Sequence, residues 1–197
     1  MPPPRSSAAN RPGQVRIVGG AWKRRRLPVP DRPGLRPTPD RVRETLFNWL
    51  GQELTGWRCL DAFAGSGALG FEAASRGAGE VLLIERDAAL HAALRGAQAM
   101  LGAAQVRIEA ADAIAWMRNH RGPAFDLVLL DPPFDAGLFE PALQAGAGLV
   151  ASGGWLYLEA DRAFPPGLFD AAGLHLHRHL KAGQVHAHLA RRAASDA

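Results

Sequence analysis

Acids recur at the ends of short apolar runs, and this recurrence constrains the fold more than any other feature of the chain. Apolar runs near residues 57–62, 81–85, 105–109, 125–130 and 154–159 alternate with helical patterns near 67–76, 87–101, 112–119 and 137–149. Such alternation builds a parallel sheet with crossover helices. Asp61, Glu85, Asp112 and Asp131 fall at or just past successive run ends. In open α/β sheets, ligands bind beyond the carboxyl ends of the strands. Two further runs, 174–180 and 185–191, flank Lys181-Ala182-Gly183-Gln184 and are expected to close the sheet as an antiparallel hairpin.

The first run leads into Asp61-Ala62-Phe63-Ala64-Gly65-Ser66-Gly67-Ala68-Leu69-Gly70, which contains G-x-G-x-x-G. Alone this is a weak sign of a nucleotide site. Glu85 follows at the spacing expected of a ribose-binding acid, about 20 residues on. Both features suit a nicotinamide enzyme as well as a methyltransferase. Asp61 separates them. A pyrophosphate at this loop would face a carboxylate, and like charges repel. S-adenosylmethionine carries an ammonium and a sulfonium instead, and both favour a nearby acid. Asp112 is placed to accept from the adenine amino group. With their neighbours, the expected cofactor residues are Asp61, Phe63, Gly65, Ser66, Gly67, Glu85, Arg86, Asp112 and Ala113.

Asp131-Pro132-Pro133-Phe134 ends the run Phe125 to Leu130. The prolines stiffen the turn and donate no N–H. Their carbonyls, the Asp131 carboxylate and the Phe134 ring make a site rich in acceptors beside a flat apolar face. An exocyclic amine on a planar base suits it. Its N–H groups would go to Asp131 and the Pro132 carbonyl, and its ring would stack on Phe134. Asp131, Pro132, Pro133 and Phe134 are the expected catalytic residues. DNA adenine-N6 methylation fits the same tetrapeptide and remains the alternative.

The chain resembles the RsmD family, bacterial methyltransferases that modify a guanine N2 in 16S ribosomal RNA. The resemblance runs from about Arg16 to Arg191. It rests on Arg16-Ile17-Val18-Gly19-Gly20, on Gly34 to Leu50 with its Arg36-Pro37-Thr38-Pro39 core, on the two motifs above, and on Ala182-Gly183-Gln184-Val185. It implies a Rossmann-like class I fold: a seven-stranded, mostly parallel sheet with helices on both faces and an N-terminal β-hairpin extension. It implies S-adenosylmethionine as cofactor, and 16S rRNA in the small subunit or an assembly intermediate as substrate. The target in the family is guanine 966. A monomer is expected.

Charge divides the chain. Residues 1–43 hold eleven Arg/Lys and two Asp, a balance of +9, while the remainder stands at −5. A basic arm on an acidic domain reads as a polyanion-binding element. Arg16, Trp22, Lys23, Arg24, Arg25, Arg26, Arg36, Arg41 and Arg43 are its expected RNA contacts. The division expected is a disordered tail over 1–14, a basic hairpin and linker over 15–37, and a methyltransferase domain over 38–197. Gly19-Gly20 is expected as the hairpin turn, with Trp22 to Arg26 on its second arm. Thr38 is expected to cap a helix that starts at Pro39.

The start of the chain lacks an apolar signal region, and no run is long enough to span a membrane, so a cytoplasmic protein is expected. The single Cys59 allows no internal disulfide and sits in a core strand. His175, His177 and His179 alternate on one strand, and His186 and His188 on the next. That is the pattern of a polar strand face, and no metal site is expected.

Overall fold

The structure, a computed structural model, describes residues 13–30, 32, 38–134 and 136–194. Its elements are β1 (Gln14–Arg16), β2 (Arg26–Pro28), α1 (Asp40–Trp49), β3 (Arg58–Asp61), α2 (Ala68–Ser75), β4 (Glu80–Ile84), α3 (Ala88–Leu101), β5 (Val106–Glu109), α4 (Ala113–Asn119), β6 (Phe125–Leu130), α5 (Phe139–Ala147), β7 (Val150–Ala160), α6 (Pro166–Ala171), β8 (His175–Ala182) and β9 (Val185–Arg191). Strands β3 to β9 form one sheet in the order β5-β4-β3-β6-β7-β9-β8, with β9 antiparallel to both its neighbours, β7 and β8. The order reverses between β3 and β6, the kind of switch point that opens a crevice.

The pleat sends alternate residues to opposite faces. Cys59, Leu83, Leu127, Leu129 and Tyr157 pack with α1, α2 and α3. Leu60, Leu82, Leu130, Leu156 and Leu158 pack with α4, α5 and α6. Asp87 caps α3 by accepting from the Ala89 and Leu90 amides, and Gly102 ends it at φ 63°. Cys59 is buried, and desolvation with Asp126 and Asp61 nearby raises its thiol pKa, which suits a packing role.

The N-terminal hairpin differs from expectation. Only Arg26 of the basic run lies in a strand, and residues 17–25 form a broad turn. The turn is shaped by docking. The Ala21 amide donates to the Ser75 carbonyl, the Ser75 hydroxyl donates to the Gly19 carbonyl, and the Trp22 amide donates to the Ser75 hydroxyl. A side chain at Gly20 would overlap the Ser75 backbone. Ile17 and Leu27 enter the same core as α1 and α2. Beneath the turn, fully buried Glu72 accepts from the Val18 amide, Arg43 and Arg76.

Arg43 is therefore not an RNA contact. It is 0% exposed, it pairs with Asp40 and Glu72, and burial lowers its pKa. Arg16 also pairs with Asp40 but stays half exposed. Arg36 and the tail over residues 1–12 lie outside the described residues.

Two other expectations change. Helix α1 begins at Asp40 with Pro39 as its N-cap, and Thr38 makes no cap bond. His188 does not face solvent. It is buried, its Nε2 accepts from the Phe164 amide, its Nδ1 pairs with the Leu158 carbonyl, and desolvation lowers its pKa to about 4. Among the described residues, no group of three or more His, Cys, Asp or Glu could hold a metal ion, and no helix is long and apolar enough to cross a membrane.

Candidate active site

The crevice is a cavity of about 790 Å³ across the carboxyl ends of the central strands. Of the expected cofactor residues, Asp61, Phe63, Gly65, Ser66, Glu85, Arg86, Asp112 and Ala113 line it, together with Asp131, Pro132, Pro133 and Phe134. Gly67 does not. It precedes α2 at φ 75°, and a side chain there would collide with Phe71 and Leu94. Its role is to let the loop turn against α3.

Each acid is held differently. Asp61 is 1% exposed. Its Oδ2 accepts from the Gly70 amide at 2.9 Å, while Oδ1 has no hydrogen-bond partner among the described residues. Burial raises its pKa to about 7, with Glu85 and Glu159 adding to the rise and the Gly70 and Phe63 amides opposing it. A side chain at Gly70 would strike Leu83, so glycine lets α2 approach the strand and deliver that amide. Glu85 accepts from the Gly65 amide at 2.9 Å and the Asp87 amide at 2.7 Å, which ties it to the glycine loop. Asp112 caps α4 through the Ala115 amide, and its second oxygen faces Arg86 at 3.8 Å. Asp112 is thus both a cap and a wall of the cavity.

Asp131 is raised well above the ordinary carboxylate range, first by desolvation and then by Glu159 and Asp61. The Thr38 hydroxyl donates to its Oδ2 at 3.4 Å. Thr38 therefore serves the site instead of capping a helix. Phe134 packs obliquely on Phe139, centroids 5.7 Å apart. Glu159 and Val185 also line the cavity and were not foreseen there. Glu159 ends an apolar strand just as Asp61 and Asp131 do, so the same sign was available for it.

The donor set fits S-adenosylmethionine. A desolvated carboxylate with one oxygen unbonded calls for a cation or an N–H donor. A second, more open groove of about 600 Å³ lies beside α4. Its acids are already engaged, Glu80 by Arg58, Glu109 by Trp116 and Asp112 by the Ala115 amide, so it carries no comparable demand.

Comparison with known proteins agrees with this geometry. A family described as "Conserved hypothetical protein 95" matches residues 15–191. Ribosomal RNA small subunit methyltransferase D of Escherichia coli K12 is 46% identical over 178 residues, covering 88% of this chain and 87% of its own. The chain belongs to that family. A solved structure of the putative methyltransferase yhhF from Escherichia coli superposes with a TM-score of 0.79 at 42% identity, covering 93% of this chain and all of that one. The Thermus thermophilus 16S rRNA N2 G1207 methyltransferase RsmC, solved with AdoMet and guanosine, reaches a TM-score of 0.70 at 21% identity over 91% of this chain and 49% of its own. That likeness is one of fold, the class I methyltransferase fold.

Proposed function

We propose that the protein methylates the exocyclic N2 of one guanine in 16S rRNA, using S-adenosylmethionine and acting as a monomer on the small ribosomal subunit or its precursor in the cytoplasm. Family membership supports rRNA methylation. One observation carries the chemistry: Asp61, with an unbonded oxygen, and the Asp131-to-Phe134 turn share one cavity on neighbouring strands.

When bound, S-adenosylmethionine supplies an electrophilic methyl on a sulfonium. Asp61 and Glu85 receive its cationic and hydroxyl groups. Asp131 and the Pro132 carbonyl accept the two N–H bonds of the target amine, and Phe134 fixes the base plane. The amine lone pair is delocalised and weakly nucleophilic. Two acceptors on its hydrogens localise the pair and aim it at the methyl. Nitrogen forms the new N–C bond, and the electrons of the broken S–C bond stay on sulfur. Positive charge then grows on nitrogen beside Asp131, which stabilises it and takes the proton. A carboxylate whose pKa is raised by its surroundings accepts a proton more readily than an ordinary one.

The arm supplies affinity. Lys23, Arg24, Arg25 and Arg26 are exposed, and none forms an ion pair among the described residues. With Trp22, Arg16 and Arg41 they form the RNA contact surface. The test is to incubate the protein with methyl-labelled S-adenosylmethionine and small subunits from cells lacking it, then digest the rRNA to nucleosides. Label in N2-methylguanosine is expected. Label in N6-methyladenosine, or binding of NAD in place of S-adenosylmethionine, would overturn the reading.

A further inference from the structure

The stretch Ala182-Gly183-Gln184-Val185 is part of the family resemblance, yet methyl transfer leaves it without a task. It turns β8 into β9, and Val185 lines the cavity. From there the strand pairing carries the rim of the cavity outward. Ala160 pairs with His186, and His186 pairs with Lys181. Residues in register point to the same face of a sheet. Ala160 packs with α4, α5 and α6, while Leu180 and Ala182 pack on the other face, so exposed Lys181 belongs to the face of Ala160.

Arg162 lies two residues beyond β7. Its guanidinium carbon is 4.8 Å from the centroid of Phe164 and 5.6 Å from that of Phe139. Phe139 in turn packs on Phe134, the ring proposed to fix the target base. A row of rings thus runs from the target site to Arg162, along the face that carries Lys181. The Arg162 side chain remains 58% exposed, with Asp161 at 3.1 Å. An ion pair between exposed groups is weak, so Asp161 leaves Arg162 available to another anion. The basic arm docks on the opposite face, where Ile17 and Leu27 join the core of α1 and α2. Asp131 follows β6, in the sheet between the two.

We infer that Arg162, with Lys181 on the same rim, binds RNA phosphates flanking the target nucleotide, on the face opposite the arm. The inference rests on the proposed RNA substrate and on the proposed role of Asp131 to Phe134. An enzyme that acts on a base takes it out of the stack, and the backbone then leaves the target in two directions. The arm can hold one of them. The other meets the face that carries Arg162 and Lys181. A guanidinium matches two phosphate oxygens with its planar fork. Two rings already fix its place, so it loses less freedom on binding than an arginine loose in solvent.

The test measures affinity for unmethylated small subunits against ionic strength. Arg162→Gln should lower the salt slope by about one, and Arg162→Gln with Lys181→Gln by about two. Arg162→Lys keeps the charge and loses the fork, so it should keep the slope and weaken binding only a few-fold. S-adenosylmethionine affinity should not change in any of them. A purely structural Arg162 would instead lower the melting temperature and leave the slope alone, which overturns the inference. Reconstituted subunits with an uncharged methylphosphonate in place of each phosphate flanking the target identify the anion. At one of these positions wild type should lose about tenfold in affinity and Arg162→Gln should lose no more, because the contact is already gone. A slope that falls in Arg162→Gln while every methylphosphonate weakens both proteins equally would assign the surface to an acidic protein of the subunit and overturn the RNA contact. A wild-type protein that leaves guanine N2 unmodified overturns the proposed function and this inference with it.

Discussion

Two clusters of acids sit on the same face of the sheet and are treated in opposite ways. Under the hairpin, Glu72 is 0% exposed and fully engaged by Arg43, Arg76 and the Val18 amide. In the cavity, no Arg or Lys among the described residues pairs with Asp61 or Asp131, and both are raised toward the protonated form. A desolvated carboxylate costs several kcal/mol unless something compensates it. The first cluster is compensated from within the chain and holds the fold together. The second has no such counter-charge among the described residues, and the proposed cationic cofactor and target amine would supply it.

The largest expected effect tests the first cluster. Glu72→Ala leaves Arg43 and Arg76 buried without their shared counter-charge and should cost about 3–5 kcal/mol of stability. Chemical denaturation reads this directly, and a loss under about 1 kcal/mol would mean that the latch is not desolvated. Asp131→Ala should behave inversely. Turnover should fall by about 10²–10³-fold on saturating substrate, with cofactor affinity nearly unchanged and no loss of stability, because a costly carboxylate is gone. Near-normal turnover would put the acceptor site elsewhere.

A smaller effect follows from Asp61. Its folded pKa of about 7 lies above the ordinary value. The folded state therefore keeps its proton where the unfolded state has lost it, and the unliganded protein loses stability as pH rises from about 4 toward 7. A cationic ligand favours the ionised form. S-adenosylmethionine affinity should tighten by roughly 20-fold between pH 5.5 and 7.5, measured by calorimetry, and Asp61→Asn should flatten that profile. The smallest effect concerns the arm. Deleting the whole hairpin would also remove Ile17 and Leu27 from the core, so neutralising Lys23, Arg24, Arg25 and Arg26 to Gln is the cleaner change. It should lower the salt slope of RNA binding by about one for each phosphate left without its cation, and cofactor affinity should not change. Arg43→Gln, by contrast, should lower stability. If it lowers only RNA binding, the division between the two clusters fails.

Most of the scaffold was legible because its signals are local. Strand ends, helix starts and the acids at successive strand ends depend on runs of a few residues, and they stand where the alternation of apolar patterns puts them. What escaped depends on partners distant in sequence. Arg43 belongs by sequence to the basic arm, and only Glu72, 29 residues on, takes it inside. Thr38 reads as a helix cap until β6 brings Asp131 within reach, 93 residues away. The Gly19-Gly20 turn is wider than its sequence suggests because, beyond the Ile17–Arg25 and Arg24–Ile17 bonds that close it, its tip bonds to Ser75 of α2. Glu159 carried a legible local sign, and its adjacency to Asp131 came only with the pairing of β6 and β7.

Helix α2 touches both clusters. Its Gly70 amide grips Asp61, and its Glu72 and Ser75 grip the hairpin. From Gly70 to Ser75 is five residues, about 7.5 Å of helix axis. The helix thus acts as a ruler of fixed length. If the arm holds RNA as proposed, the point of methyl transfer would lie at a set offset from the phosphates it grips.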